Sequence, residues 1–554
     1  MSTRHPFAHL IRTLSGFVLA LGVCEAAAQG TVSFTSSNLP IIVLDTEGRT
    51  IVDEPKVAAR LGIIYNGVGI RNHLTDPFNG YDGRIGIEIR GASSQSFPKK
   101  SYAFETRDDT GAARNVSLLG IPAENEWILY APYTDKSMLR DVLTYDITRR
   151  MGHYASRVRF CEVVLNGQYQ GVYVLMEKIK RDKARVNVAR LAPEDSTGDA
   201  LTGGYILKID KSVGPEVGGW TSPYPPLIPN YRIFYQYHDP KPSELTPVQK
   251  AYIEDFITDF ERVMNSSTFN DPVNGYARFI DVPSFVDFFL VNEIGRNVDG
   301  YRISTFFHKD RDSRGGKLFA GPVWDFNLAF GNADYYGGSN RGGYQIDFAI
   351  PTDGAQVPAW WSKLVRDSTF AAALNARWQV LRAGVLHTDS LFHAIDTTVA
   401  LLGEAQGRNY SRWPILGTYV WPNAFVGVSY TSEIDYLKTW MLERFAWLDE
   451  HLPQLAQPEE VVDPVAAANR LSTVYPNPST GPVSFTLTLA RREAVLVALY
   501  DLLGREVARL HDGVLPARTL HTFTFNGTGL SDGVYFCRAI SDSFTLHRPF
   551  VLVR

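Results

Sequence analysis

The sequence predicts an α+β chain: a β-rich stretch over about residues 31–240, a helical stretch over about 241–453, and a small all-β sandwich over 474–554. Three observations carry this. Runs of alternating β-branched and aromatic residues dominate the first stretch. Apolar residues at three- and four-residue spacing take over after Ser243. Residues 454–473 are short of large apolar side chains and contain two prolines in QPEEVVDP, so they read as a linker to a separate domain. The length of 554 residues, with 45% hydrophobic and 21% charged residues, fits a multidomain globular chain. A net charge of −4 gives no sign of a nucleic-acid surface.

Residues 1–28 carry Arg4, His5 and Arg12, then an apolar run over 14–23, then Ala26-Ala27-Ala28. This predicts a secretory signal peptide whose apolar core is too short to span a bilayer. No later run is long enough for a membrane helix, so the mature protein is expected outside the cytoplasm. Cys24 falls in this segment. Cys161 and Cys537 lie far apart in the sequence and are expected as buried thiols rather than a disulfide.

Residues 39–45 read as a buried strand and 84–90 as an alternating one. Between 84–90 and the next strand lie the small residues of GASSQS, followed by Lys99 and Lys100. Backbone N–H groups and a lysine there suit phosphate, although solvated loop lysines have the same look. Residues 127–151 predict a strand and then a helix, with Asp135 as N-cap and Leu139, Leu143, Ile147 and Met151 as its apolar stripe. Asn166-Gly167 between alternating runs predicts a hairpin over 158–178. Its second strand leads to Glu177, which is either a nucleotide contact or a partner of nearby lysines. Residues 204–210 read as another strand and 220–228 as a loop.

Residues 243–265 and 282–294 predict helices, the second leading directly into Asp299. Residues 303–308 and 317–324 predict a β-hairpin turning at Gly315-Gly316. Asp299 precedes it and Asp325 follows it, 26 positions later (325 − 299). A hairpin returns its ends to one place, so the two carboxylates are expected close together. Carboxylates held close repel unless a cation or proton lies between them. That leaves a metal site, an acid/base pair or two salt-bridged structural aspartates. The order matches protein kinases, where a catalytic Asp, a polar metal ligand five positions on, a hairpin and a Mg²⁺-binding Asp follow one another. Five after Asp299 is Ser304, and two after Asp325 is Asn327. Residues 359–405 and 431–455 predict further helices. Strands are expected at 483–489, 493–500, 519–525, 533–539 and 545–553.

Asn297-Val298-Asp299-Gly300-Tyr301, the run GPVWDFNLAFGN over 321–332, and RGASSQSFPKKSY over 90–102 resemble the CotH family of spore-coat-type atypical secreted kinases. The resemblance implies a two-lobed protein-kinase-like domain over 29–453 that uses ATP and Mg²⁺ or Mn²⁺. It implies Asp299 as the catalytic-loop aspartate and Asp325 as the Mg²⁺ ligand, with Asn327 or Ser304 as further oxygen donors. Lys99 or Lys100 would then bind nucleotide phosphate, and Glu177 would contact the nucleotide. Ser304 stands where the spore-coat members have Asn, and so does Asp141. Residues 333–358 correspond in position to an activation segment. YPNPSTG, LYDLLGREV and LSDGVYF resemble the C-terminal sorting domain of the type IX secretion system, which implies export by that machinery to the cell surface or medium. The expected activity is transfer of the ATP γ-phosphate to a protein Ser/Thr hydroxyl, with an unknown protein as partner. The alternatives are a non-catalytic surface-binding protein on the same scaffold and transfer of AMP.

Overall fold

The computed structural model describes residues 30–455 and 469–553, apart from 31, 213–216, 349, 351, 517, 518 and 528. The expected signal peptide and most of the expected linker lie outside these. Two compact units divide after residue 456.

The first unit opens with a closed seven-stranded barrel. Its strands are β1 (Ile41–Asp45), β2 (Val57–Ile64), β3 (Tyr81–Arg90), β4 (Ser101–Arg107), β5 (Glu126–Tyr130), β6 (Val158–Leu165) and β7 (Gln168–Glu177). The order is β6-β7-β5-β4-β3-β2-β1, and β1 closes onto β6 in parallel, with Ile41 opposite Glu162. Every second residue points inward, so Leu61, Ile63, Ile85, Ile87, Trp127 and Leu129 fill one apolar interior. Asn166-Gly167 makes the predicted turn, with both residues at positive φ.

A second, antiparallel sheet contains β8 (Tyr205–Ile209), β9 (Gly219–Thr221), β10 (Phe234–Asp239), β11 (Thr305–Lys309) and β12 (Leu318–Ala320), in the order β9-β10-β8-β11-β12. The β11–β12 pair is the predicted hairpin, with shorter strands. The expected boundary near residue 240 does not separate layers, because β8 and β10 from before it join this hairpin from after it. Ile209 lies opposite Thr305, and Phe307 lies opposite Ala320. The C-terminal ends of β8 and β12 and the N-terminal end of β11 therefore share one edge of the sheet.

Helices pack around that sheet: α1 (Arg140–Arg150), α2 (Pro247–Met264), α3 (Val282–Gly295), α4 (Ala359–Val365), α5 (Ser368–Arg382), α6 (Thr388–Arg412) and α7 (Tyr430–Leu455). Helix α1 buries its predicted stripe but starts later than expected. Asp135 is not its N-cap. It lies in the preceding loop, where it accepts the N–H groups of Ser137 and Arg140 and pairs with the Arg140 guanidinium. Thr246 and Gln249 form a capping box on α2, and the Asp281 carboxylate caps α3. The expected helical stretch 359–405 is three helices, and Asp367 caps the second of them.

The second unit is all β. One sheet pairs β13 (Arg470–Leu471), β14 (Pro482–Thr488) and β17 (Leu520–Asn526) in the order β13-β14-β17. The other runs β16 (Glu506–Leu515), β15 (Glu493–Asp501), β18 (Gly533–Ile540), β19 (Thr545–Leu552). Val483, Phe485, Leu487, Val495, Val497 and Phe550 from the two sheets share one core. The strand 506–515 was not expected. Cys161 and Cys537 are buried free thiols.

Candidate active site

Helix α3 is buried along almost its whole length and ends where Arg296 turns left-handed at φ 42°. The next residues fold into tight turns. The Asp299 N–H donates to Asn297 Oδ1 at 3.3 Å, and the Ile303 N–H donates to Asp299 O at 2.9 Å. Among the described non-glycine residues ten have positive φ, and six of these lie between Arg296 and Tyr336, including Ser304 at 50° and Asp325 at 64°. Backbone strain concentrated in one short stretch marks a place where geometry is held against local preference.

The far end of the hairpin is stitched to α1. The Phe326 N–H donates to Asp141 Oδ1 at 2.6 Å, and the Asp325 N–H donates to Tyr145 Oη at 3.3 Å. Arg140 Nε donates to Ala329 O at 3.0 Å. The segment after Asp325 is pinned to α3 and α7. Glu293, buried, pairs with Arg444 at 2.9 Å and accepts the Gln345 N–H at 2.9 Å. Arg296 and Arg444 donate to carbonyls between Gly337 and Gly343.

These elements enclose a cleft of about 390 Å³. Asp299, Ser304, Asp325 and Asn327 all line it. Across from them runs the loop 91–94, built on Gly91 at φ 108°, where a Cβ would meet Ser94 Oγ at 1.9 Å. Only glycine fits that conformation and approach. Ser93–Ser96 form a short 3₁₀ turn, and Gln95 Nε2 ties back to Gly91 O at 2.7 Å.

The three remaining sequence candidates do not line this cleft. Lys99 is buried against α6, where its ammonium donates to Val172 O at 2.6 Å and Asn409 Oδ1 at 2.9 Å. Burial without a carboxylate partner lowers its pKa to about 7. Lys100 Nζ donates to Gln95 O at 2.5 Å and braces the loop from below. Glu177 is fully buried, and its carboxylate bonds Arg157 at 2.8 Å and lies 3.6 Å from Arg185. Its partners are these arginines and the Tyr154 hydroxyl, not the neighbouring lysines. Met176, one position earlier and on the opposite face of the strand, is the residue that lines the cleft.

Several residues that sequence reasoning missed do line it. Arg90 is half-buried, with its guanidinium 5.5 Å from the Trp324 ring centre and its charge acting on Asp325. Asp210 and Lys211 follow β8 directly. The Ser304 N–H donates to Asp210 Oδ1 at 3.4 Å. The available signal was the acid–base pair at the end of a strand already read as such. Asp141 and Tyr130 complete the inner wall, and the buried Tyr130 hydroxyl has no hydrogen-bond partner among the described residues.

Burial raises the Asp299 pKa against the opposing pull of Arg302 and Lys211. Asp325 is pushed up to about 6, first by burial and then by the charges of Asp299 and Asp210. Asp141 is pushed up to about 7 by burial and by Asp325. Four carboxylates, Asp141, Asp210, Asp299 and Asp325, line the cleft beside two cations, Arg90 and Lys211. Its oxygen-only donor set, Asp325 with Asn327 and Ser304, suits a hard divalent cation. Among the described residues no three His, Cys, Asp or Glu side chains gather into a complete cage. Mg²⁺ is typically held by one or two carboxylates together with substrate phosphates, so this donor set fits it.

Asp210, Lys211, Asp299, Ile303, Tyr335 and Trp421 also border a second cavity of about 810 Å³, walled on its other side by Asp353–Gln356. Asp299 thus stands on the partition between two spaces.

A family model described as CotH kinase protein matches residues 87–448, and one described as secretion system C-terminal sorting domain matches 473–552. No curated protein matches the chain. Among solved structures, dimeric latent PorU from Porphyromonas gingivalis matches at 16% identity over 16% of this chain and 10% of that one, with a TM-score of 0.13. The twitchin kinase region from C. elegans matches at 11% identity over 95% of this chain and 99% of that one, with a TM-score of 0.14. At these scores neither carries the fold. No helix among the described residues is long and apolar enough to cross a membrane. The sorting domain marks the protein for export through type IX secretion to the cell surface or beyond, and over most of its length the chain belongs to the CotH kinase protein family.

Proposed function

We propose that this exported protein is an ATP-dependent phosphotransferase with a two-lobed kinase-like arrangement, acting on a protein Ser/Thr hydroxyl. The observation that carries the reading is the convergence of Asp299 and Asp325 on one cleft, opposite a glycine-hinged loop of small residues. The acceptor hydroxyl oxygen attacks the γ-phosphorus, the bond from that phosphorus to the β–γ bridging oxygen breaks, and ADP leaves. Asp299 orients the hydroxyl and takes its proton. Its raised pKa makes it a better base than an exposed aspartate. Asp325, with Asn327 and Ser304, would hold Mg²⁺, which when bound neutralises phosphate charge. Arg90 and Lys211, rather than Lys99, supply the protein's own cations, and the 91–94 loop offers N–H groups to phosphate oxygens. The Tyr130 hydroxyl is a ready partner for a bound oxygen. The cavity beyond Asp299 would take the acceptor.

The test is incubation with γ-labelled ATP and Mg²⁺ beside Asp299→Asn. Label transfer is expected from the parent and not from the variant. Equal transfer from both would remove Asp299 from the mechanism. Absence of any thermal stabilisation of the parent by Mg-ATP would leave a binding protein instead.

A further inference from the structure

Asp299 must present its carboxylate in one orientation, and one buried side chain is built to hold it. Arg302, 3% exposed, lies in the same tight turn. Its Nη2 donates to Asp299 Oδ1 at 3.3 Å and its Nε to Val298 O at 2.9 Å. Its Nη1 donates to Asp353 Oδ2 at 2.7 Å and to Ala355 O at 3.1 Å. The guanidinium lies 5.1 Å from the Tyr336 ring centre, and the Tyr336 hydroxyl donates to the same Asp353 oxygen at 3.1 Å. Asp353 Oδ1 accepts the Ala355 N–H at 2.9 Å. One cation therefore grips a carboxylate in the cleft and the wall of the adjoining cavity together.

Building on the phosphotransferase reading, we propose that Arg302 and Asp353 are a positioning pair that joins the catalytic carboxylate to the acceptor-side wall. Arg302 occupies Asp299 Oδ1 and leaves Oδ2 for the acceptor proton. Asp353 keeps the guanidinium in place and fixes 353–355 beside it. Asp353 is an encoded carboxylate, so the wall is set without an added charge.

The groups whose charge acts on Asp299 are Arg302, Lys211, Asp210 and Asp353, with Asp325, Tyr335 and Tyr336 also in range. The experiment follows the Asp299 carboxyl carbon by ¹³C NMR across pH in the full chain, with the resonance identified by its loss in Asp299→Asn. Arg302→Gln removes a cation, so the midpoint should rise. Asp353→Asn removes an anion, so it should fall. Each shift should be about half a pH unit or more. Arg302→Lys keeps the charge without the planar fork and should return only part of the shift. Exchange of backbone amides at 353–357 should quicken at least about tenfold in Asp353→Asn. Midpoints that move the same way in both variants, or not at all, overturn the pair, because loosened packing alone has no reason to give opposite signs. Where transfer occurs, Arg302→Gln should lower kcat by about tenfold or more with the KM for ATP unchanged. The NMR titration does not depend on turnover. A parent without transfer activity but with opposite shifts would sink the enzymatic reading and leave the pairing standing. Transfer without opposite shifts would do the reverse.

Discussion

Asp141 accepts the backbone N–H of Phe326 at 2.6 Å, which places a second desolvated carboxylate beside Asp325. Both hold their protons to higher pH in the folded chain than the usual aspartate value of 3.8, up to about 7 and about 6. A raised carboxyl pKa favours folding fully below the unfolded value and loses that contribution as pH rises through the folded one. The melting temperature of the metal-free protein should therefore fall between about pH 4 and pH 7. Asp141→Asn retains an oxygen for Phe326 and should flatten the fall, as should saturating Mg²⁺. A variant with an unchanged pH slope in calorimetry would refute this account.

Mg-ATP at about a hundred times its Kd should stabilise the parent by about 2.7 kcal/mol. Asp325→Ala should erase that gain in a thermal-shift titration. Retention of the gain would move the cation elsewhere.

The resemblance offers Lys99 or Lys100 for the phosphates, whereas Lys99 is held by Asn409 and Arg90 lines the cleft. Lys99→Met takes a donor from Val172 O and from Asn409 Oδ1, the latter keeping the Val172 N–H, and should cost about 1–3 kcal/mol in denaturant unfolding while leaving Mg-ATP affinity alone. Arg90→Met should weaken Mg-ATP binding by about tenfold, measured by calorimetric titration, with little loss of stability. The opposite pattern would return Lys99 to the phosphates.

Glu177→Ala should behave as a folding defect. It leaves Arg185, which is buried, and Arg157 without their carboxylate, at a cost of about 3 kcal/mol. Nucleotide affinity of the protein that folds should equal that of the parent. A selective loss of nucleotide binding would assign Glu177 to the adenine contact.

Gly354 borders the outer cavity, and a Cβ placed there meets nothing within 4 Å. Gly354→Trp should fill that space with a stability change of about 0.5 kcal/mol or less. With dephosphorylated casein as acceptor, its KM should rise about tenfold while the KM for ATP holds. An unchanged acceptor KM would place the acceptor elsewhere.

The hairpin over 305–320 and its flanking acids were legible because the Gly-Gly turn and the alternation are local signals. Asp210 was not, although its strand was. Pairing between 205–209 and 305–309 spans nearly a hundred residues, and no local pattern records which strand a hairpin will adopt as neighbour. Alternation allowed either Lys99 or Lys100 to face inward. Only the arrival of Asn409 on α6 shows that Lys99 faces a helix and not the cleft. Asp135 read as a cap by residue type, yet its carboxylate is held by Ser137 and by the Arg140 side chain as well as the Arg140 N–H, and the helix starts only at Arg140. The strand 506–515 escaped because it is largely half-exposed and carries Gly513, so its apolar alternation is faint.

The shared edge of β8, β11 and β12 has a mechanical corollary. Asp210 directly follows β8, Asp299 comes before β11 and Asp325 comes after β12, whereas the loop 91–94 belongs to the barrel. Breathing of the barrel against that sheet would widen or narrow the gap above the three acids without altering their mutual spacing. Under the phosphotransferase reading, a variant that stiffens only the barrel should change how quickly nucleotide enters and leaves while sparing the chemistry beneath it.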